Sequence, residues 1–134
     1  MAVFDEQKII DLLDFAEARG YRVDTRIMTA PAFSVKTPSG LCGICINSEK
    51  MHDAETIAHE IGHCETDSFY TALTPCETVG RCEARAEHWA IKKLAPKSEI
   101  RRLMKEHRET WEIAEILGVS DRFLAEAMEY YGKV

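Results

Sequence analysis

The sequence predicts an α+β fold, a small three-stranded sheet flanked by helices, and two observations carry that expectation. Residues 21–46 are rich in β-branched and aromatic types and are broken by turn residues. On either side of them, apolar residues recur at helical spacing between recognisable start and stop signals.

The elements follow in order. Residues 5–19 read as an amphipathic helix, with Ile9, Ile10, Leu12, Leu13 and Ala16 at helical spacing and Gly20 just past its end. Tyr21 to Ile27, Ala32 to Lys36 and Leu41 to Ile46 read as three short strands, and Pro38-Ser39-Gly40 supplies a hairpin turn between the last two. Asp53 is placed to cap a helix running to about Glu65. After a Thr-rich loop at 66–74, the next helix begins either at Thr74, where Thr74-Pro75-Cys76-Glu77 has capping-box form, or after Gly80. Pro96 stops it. Residues 98–107 form a charged helix, Thr110 caps a short one ending at Gly118, and Ser120 caps the last, to about Tyr131.

Size and composition bound the function. A chain of 134 residues and 15.2 kDa has room for one hydrophobic core, so a single domain over 1–134 is expected. Acidic residues outnumber basic ones 23 to 17, which disfavours direct contact with nucleic acid through phosphate neutralisation. No apolar run is long enough to span a membrane, and the acidic N-terminus lacks the order of a secretory signal. Five cysteines, an odd number in no disulfide-scaffold spacing, point to a reducing, cytoplasmic setting.

The chemistry concentrates in His59-Glu60-Ile61-Gly62-His63. Histidines four residues apart on a helix project from one face, so both imidazoles reach a single ion, and Zn2+ accepts such nitrogens in a tetrahedral site. Glu60 lies about 100° round the helix from His59, off the ion but near enough to take a proton from an attacking water. The bland alternative is a pair of histidines hydrogen-bonded within a helix. The apolar face of Ile57, Ala58 and Ile61 and the strand just upstream favour the metal. A third ligand is expected from a neighbouring element. Glu83 and Glu87 share one helical face, with small Ala86 and Ala90 beside them to allow close approach. Glu83 is placed to ligate, and Glu87 to accept a hydrogen bond from the far nitrogen of a ligating histidine. The alternative for Glu87 is a solvated helix carboxylate. His88 points elsewhere.

These segments, Ile57 to His63 and then Glu83-Ala84-Arg85-Ala86-Glu87-His88-Trp89-Ala90 through to Pro96, resemble the ImmA/IrrE family of zinc metallopeptidases. That family pairs HExGH with a second helix of the form E-x-x-A-N-x-aromatic-A closing on Pro. Glu87 stands where the family usually has Asn, and Trp89 where it has Phe. Weaker likeness extends to the strand at Gly40–Asn47 and to the C-terminal helix pair, so the resemblance covers about residues 35–131. It implies a zincin-like core, His59, His63 and Glu83 as zinc ligands, and Glu60 as catalytic base. It also implies a protein substrate such as a transcriptional repressor with a helix-turn-helix, often of mobile elements or prophages.

Other features are weighed beside this. Cys42-Gly43-Ile44-Cys45 has CxxC form, yet strand positions three apart face opposite ways, so buried small apolar side chains are expected rather than a second metal site, which would have to draw on Cys64, Cys76 and Cys82. The strand itself is expected to offer an edge to an extended peptide. The last two helices have helix-turn-helix proportions, but Glu112, Glu115, Asp121, Glu126 and Glu129 outweigh Arg122 and Lys133, which suits packing or partner docking rather than DNA. Tyr70, His52 and His88 are candidates to steady the oxyanion. The function expected is a zinc metallopeptidase cutting a peptide bond in a protein substrate. The alternatives are a non-catalytic zinc-fold domain that binds a regulator protein, and a zinc hydrolase of small substrates.

Overall fold

The computed structural model describes residues 6–51 and 53–132. Asp5, His52 and Lys133 lie outside them. The fold is α+β. Its elements are α1 (Glu6–Ala18), β1 (Arg22–Arg26), β2 (Ala32–Lys36), β3 (Cys42–Asn47), a 3₁₀ turn (Ser48–Lys50), α2 (Ala54–Glu65), α3 (Cys76–Leu94), α4 (Lys97–Lys105), α5 (Thr110–Leu117) and α6 (Asp121–Tyr131).

The sheet order is β1-β3-β2, with β1 parallel and β2 antiparallel to β3. The expected hairpin joins β2 to β3: Gly40 takes φ +89° and donates its N–H to Thr37 O at 2.9 Å. The expectation that the Cys42–Cys45 strand offers an edge is corrected, because β3 is the central strand. Its residues are apolar on both faces, with Cys42, Ile44, Cys45 and Ile46 all buried, whereas Arg22, Asp24 and Arg26 keep β1 exposed.

The outer strands β1 and β2 are the two edges, and β2 is the one beside the cleft. Asn47 N–H donates to Pro31 O and Thr37 N–H to Leu41 O. By the alternation of an antiparallel ladder, Phe33 and Val35 therefore bond to β3. The backbone groups of Ala32, Ser34 and Lys36 are left facing outward.

Two helix starts move from expectation. Helix α3 begins at Cys76, with Pro75 as its cap and Gly80 inside it. Helix α5 is capped by Glu109 rather than Thr110, since the Glu109 N–H donates to the Glu112 carboxylate three residues on, at 3.0 Å. Asp53 and Ser120 cap as the sequence indicates. One buried cluster joins α1 (Leu12, Ala16), β3 (Ile44, Ile46), α2 (Ile57, Ile61) and α3 to α6 (Ile91, Ile100, Ile113, Leu124). Trp89 packs at its margin against Phe15, with ring centroids 5.6 Å apart.

The cysteines split as strand geometry requires. Cys42 enters the core against Cys64, while Cys45 faces the other way, 4.0 Å from the Met28 sulfur. Cys76 is exposed, contrary to the expectation of burial, because it opens α3 at the surface. No helix among the described residues is long and apolar enough to cross a membrane.

Candidate metal centre

Helix α2 starts where the Asp53 carboxylate accepts the N–H groups of Glu55 and Thr56, at 3.1 and 3.3 Å, and the Thr56 hydroxyl at 2.7 Å. From that fixed start, Ile57, Ala58 and Ile61 turn into the core. The same register sets His59 and His63 one turn apart, with ring centroids 4.9 Å from each other. Helix α3 lies hard against this face. A Cβ added at Gly62 would stand 2.5 Å from the Ala86 carbonyl oxygen and 3.0 Å from its Cα, so only glycine admits this approach. Ala86 and Ala90 are fully buried at the contact, as their size suggested.

That closeness brings α3's carboxylates to the histidines. Glu83 reaches both Nε2 atoms, 2.8 Å from His59 and 3.2 Å from His63. Glu87, one turn on, meets His59 Nδ1 at 2.6 Å. His63 Nδ1 lies 2.6 Å from the Ser68 carbonyl oxygen. Each ring thus spends Nδ1 on a protein acceptor and turns Nε2 toward Glu83. Glu60 joins the group from its own side: ligand atoms of His59, Glu60 and His63 all lie within 4.8 Å of one another. Its carboxylate is buried and takes a hydrogen bond from the Ser34 side chain on β2. Tyr70 donates its hydroxyl to Glu83 at 2.6 Å. His88 is apart from all of these, stacked on Tyr130 at 4.0 Å.

The electrostatics follow from burial against charge. Burial opposes a charge on His59, but the Glu87 hydrogen bond and the charges of Glu60, Glu83 and Glu87 outweigh it and raise the imidazole to about 9. For Glu60 burial wins and the carboxyl is pushed up, against the pull of His63, His59 and the Ser34 bond. For Glu83 the balance reverses: burial works upward, yet Tyr70 and the two imidazoles hold it below the usual carboxylate range. Burial is the largest single influence on both carboxyls; it prevails at Glu60 and is outweighed at Glu83 by Tyr70 and the two imidazoles together.

The four residues singled out by spacing, His59, Glu60, His63 and Glu83, are thus brought together, with Glu87 touching His59. Four contributors carry no sequence signal. Ser34 and the Ser68 carbonyl reach the site through tertiary structure alone. Arg122 and Phe123, in the first turn of α6, help close a cleft of about 520 Å³ that runs from β2 across the histidines to Tyr70. Two nitrogens and a carboxylate, with both Nδ1 atoms committed elsewhere, form a donor set that suits Zn2+. The cysteines do not join the site: among the described residues, the clustered group is His59, Glu60 and His63, and Glu83 adds a carboxylate that meets both Nε2 atoms. The chain matches no protein-family model, no curated protein and no solved structure.

Proposed function

We propose that this chain is a zinc-dependent peptidase, with His59, His63 and Glu83 as ligands and Glu60 as general base. The observation that carries the reading is the convergence of both Nε2 atoms on one carboxylate of a neighbouring helix, beside a second, buried carboxylate. Glu83 is the ligand because it bridges both nitrogens. Glu60 is the base because Ser34 holds it on the β2 side of the cleft and burial leaves it readier to take a proton than an exposed carboxylate. The ion supplies Lewis-acid polarisation and a more acidic water.

The remaining work falls to the chain's own residues. The outward N–H and C=O groups of Ala32, Ser34 and Lys36 suit an extended peptide, bound as an added strand along β2. Such a strand crosses directly over Glu60, which takes the proton of the attacking water and returns one to the leaving amine. The Tyr70 hydroxyl stands at the rim and, on leaving Glu83, to which it donates at 2.6 Å, can donate toward a developing oxyanion. A protein substrate such as a helix-turn-helix repressor follows from the sequence resemblance and belongs to the same proposal.

The test is Glu60→Gln, which keeps shape and removes the base. Zinc-loaded wild type and variant are incubated with a peptide library, and fragments are followed by mass spectrometry. The variant is expected to hold one zinc per chain and to cleave about 10²–10⁴-fold more slowly. Equal cleavage by both removes Glu60 from the reaction. Zinc-dependent binding without cleavage by either favours the alternative of a non-catalytic binding domain.

A further inference from the structure

The two histidines have the same spacing role but different partners. His63 Nδ1 meets a neutral backbone carbonyl, that of Ser68, at 2.6 Å, and the side chain is 5% exposed. His59 Nδ1 meets a carboxylate, Glu87, at the same 2.6 Å, and its side chain is 18% exposed. Equal length hides unequal chemistry. A hydrogen bond to an anion is roughly twice as strong as one to a neutral acceptor.

The pairing is also geometrically over-determined. Glu83 and Glu87 are one turn apart on α3, so successive carboxylates of one helix address the two nitrogens of one ring. Glu83 takes the Nε2 side and Glu87 the Nδ1 side. The His59 imidazole thus has a carboxylate at each nitrogen, whereas His63 shares Glu83 at Nε2 but has a neutral loop carbonyl at Nδ1.

We propose that Glu87 is a positioning residue that makes His59 the stronger of the two metal ligands. Holding the proton on Nδ1, it keeps Nε2 free for the ion and, as an anion, enriches that nitrogen's lone pair. The inference rests on the zinc reading above. It adds that metal retention is set unequally between the two histidines, by a side chain that never touches the ion.

Zinc affinity of the full chain is measured by competition with a chromophoric chelator for wild type, Glu87→Gln and Glu87→Ala. The Gln variant keeps an acceptor and loses the charge, and the Ala variant loses both. Affinity is expected to fall about tenfold for Gln and up to about a hundredfold for Ala. In ¹⁵N-resolved proton spectra of the zinc-loaded chain, the His59 Nδ1 proton is expected far downfield of that of His63, moving toward it in Glu87→Gln. Affinities within about twofold of wild type in both variants overturn the proposal. A loss of affinity matched by a lower melting temperature of metal-free Glu87→Gln, with the His59 proton unmoved, also overturns it, as a merely structural role. Wild type that takes up no zinc defeats the metal reading itself, an outcome distinct from both.

Discussion

Helices α2 and α6 begin alike and end in different trades. Each is opened by a side-chain cap, Asp53 in one and Ser120 in the other, the Ser120 hydroxyl accepting the Phe123 N–H at 3.1 Å. Each turns one face inward. Helix α6 buries Phe123, Leu124 and Ala127, all apolar. Helix α2 buries Ile57, Ala58 and Ile61 as well, but along the same stretch it also buries Glu60 and His63. An ionisable pair inside costs free energy unless it is bonded, and no buried side-chain nitrogen or oxygen among the described residues lacks a partner. The contrast separates packing from chemistry. Helix α6 mainly packs, with Arg122 and Phe123 also reaching the cleft, whereas α2 adds two buried ionisable side chains to its apolar face, and α3 supplies the partners that make this tolerable.

The comparison breaks first at Leu124. Leu124→Ala removes buried volume from α6, and unfolding in urea is expected to show a loss of about 2–5 kcal/mol. Zinc per folded chain should stay unchanged. If zinc is lost in proportion, the two regions are not separable.

Next in size is the response of the metal-free chain to pH. The folded His59 imidazole is raised to about 9, above an unfolded value of about 6.5. Folding therefore takes up a proton between these values. The stabilisation is complete below about 6.5 and disappears as pH rises through about 9, a contribution on the order of 3 kcal/mol. Melting temperatures from pH 6 to 9.5 read it directly. His59→Gln should flatten the curve, and so should zinc, which takes the proton's place.

The smallest effect on stability sharpens the picture of α3 as partner. Gly62→Ala sets a methyl 2.5 Å from the Ala86 carbonyl, so the helices must part. A loss of about 1–3 kcal/mol is expected, partly offset by alanine's better helix propensity. Chelator competition should show zinc affinity falling by more than stability does, because the carboxylates of Glu83 and Glu87 move with α3. Unchanged affinity would mean that the close approach does not serve the site.

Much of this architecture is legible locally. Gly40 marks its turn, Asp53 and Ser120 mark their helices, and the i,i+4 spacings of His59–His63 and Glu83–Glu87 each define one helical face. What was not legible depends on pairing across the chain. The central place of β3 follows from burial on both faces, which a short apolar run does not distinguish from one-sided burial. The β2 edge and the reach of Ser34 to Glu60 follow from that order. The Ser68 carbonyl is a backbone group, and no residue type signals it. Helix α3 starts at Cys76, neither at Thr74 nor after Gly80, because Thr74 turns its hydroxyl to the Thr71 N–H at 3.0 Å and forms a turn of its own instead of a cap.

Both ends of α2 are tied to residues remote in the chain. Glu55 accepts the Ser120 N–H at 2.8 Å and the Ser120 hydroxyl at 3.0 Å, 65 positions downstream. Glu65 accepts from Tyr21 and, at 3.0 Å, from Arg19, 46 positions upstream. These are long loops to close before their reward is collected. During synthesis the Arg19 and Tyr21 tie can form soon after α2 emerges, while the Ser120 tie waits until the chain has grown 65 residues past Glu55. The site helix is therefore secured at its C-terminal end first, and a growing chain completes the cleft only after α6 has begun to form.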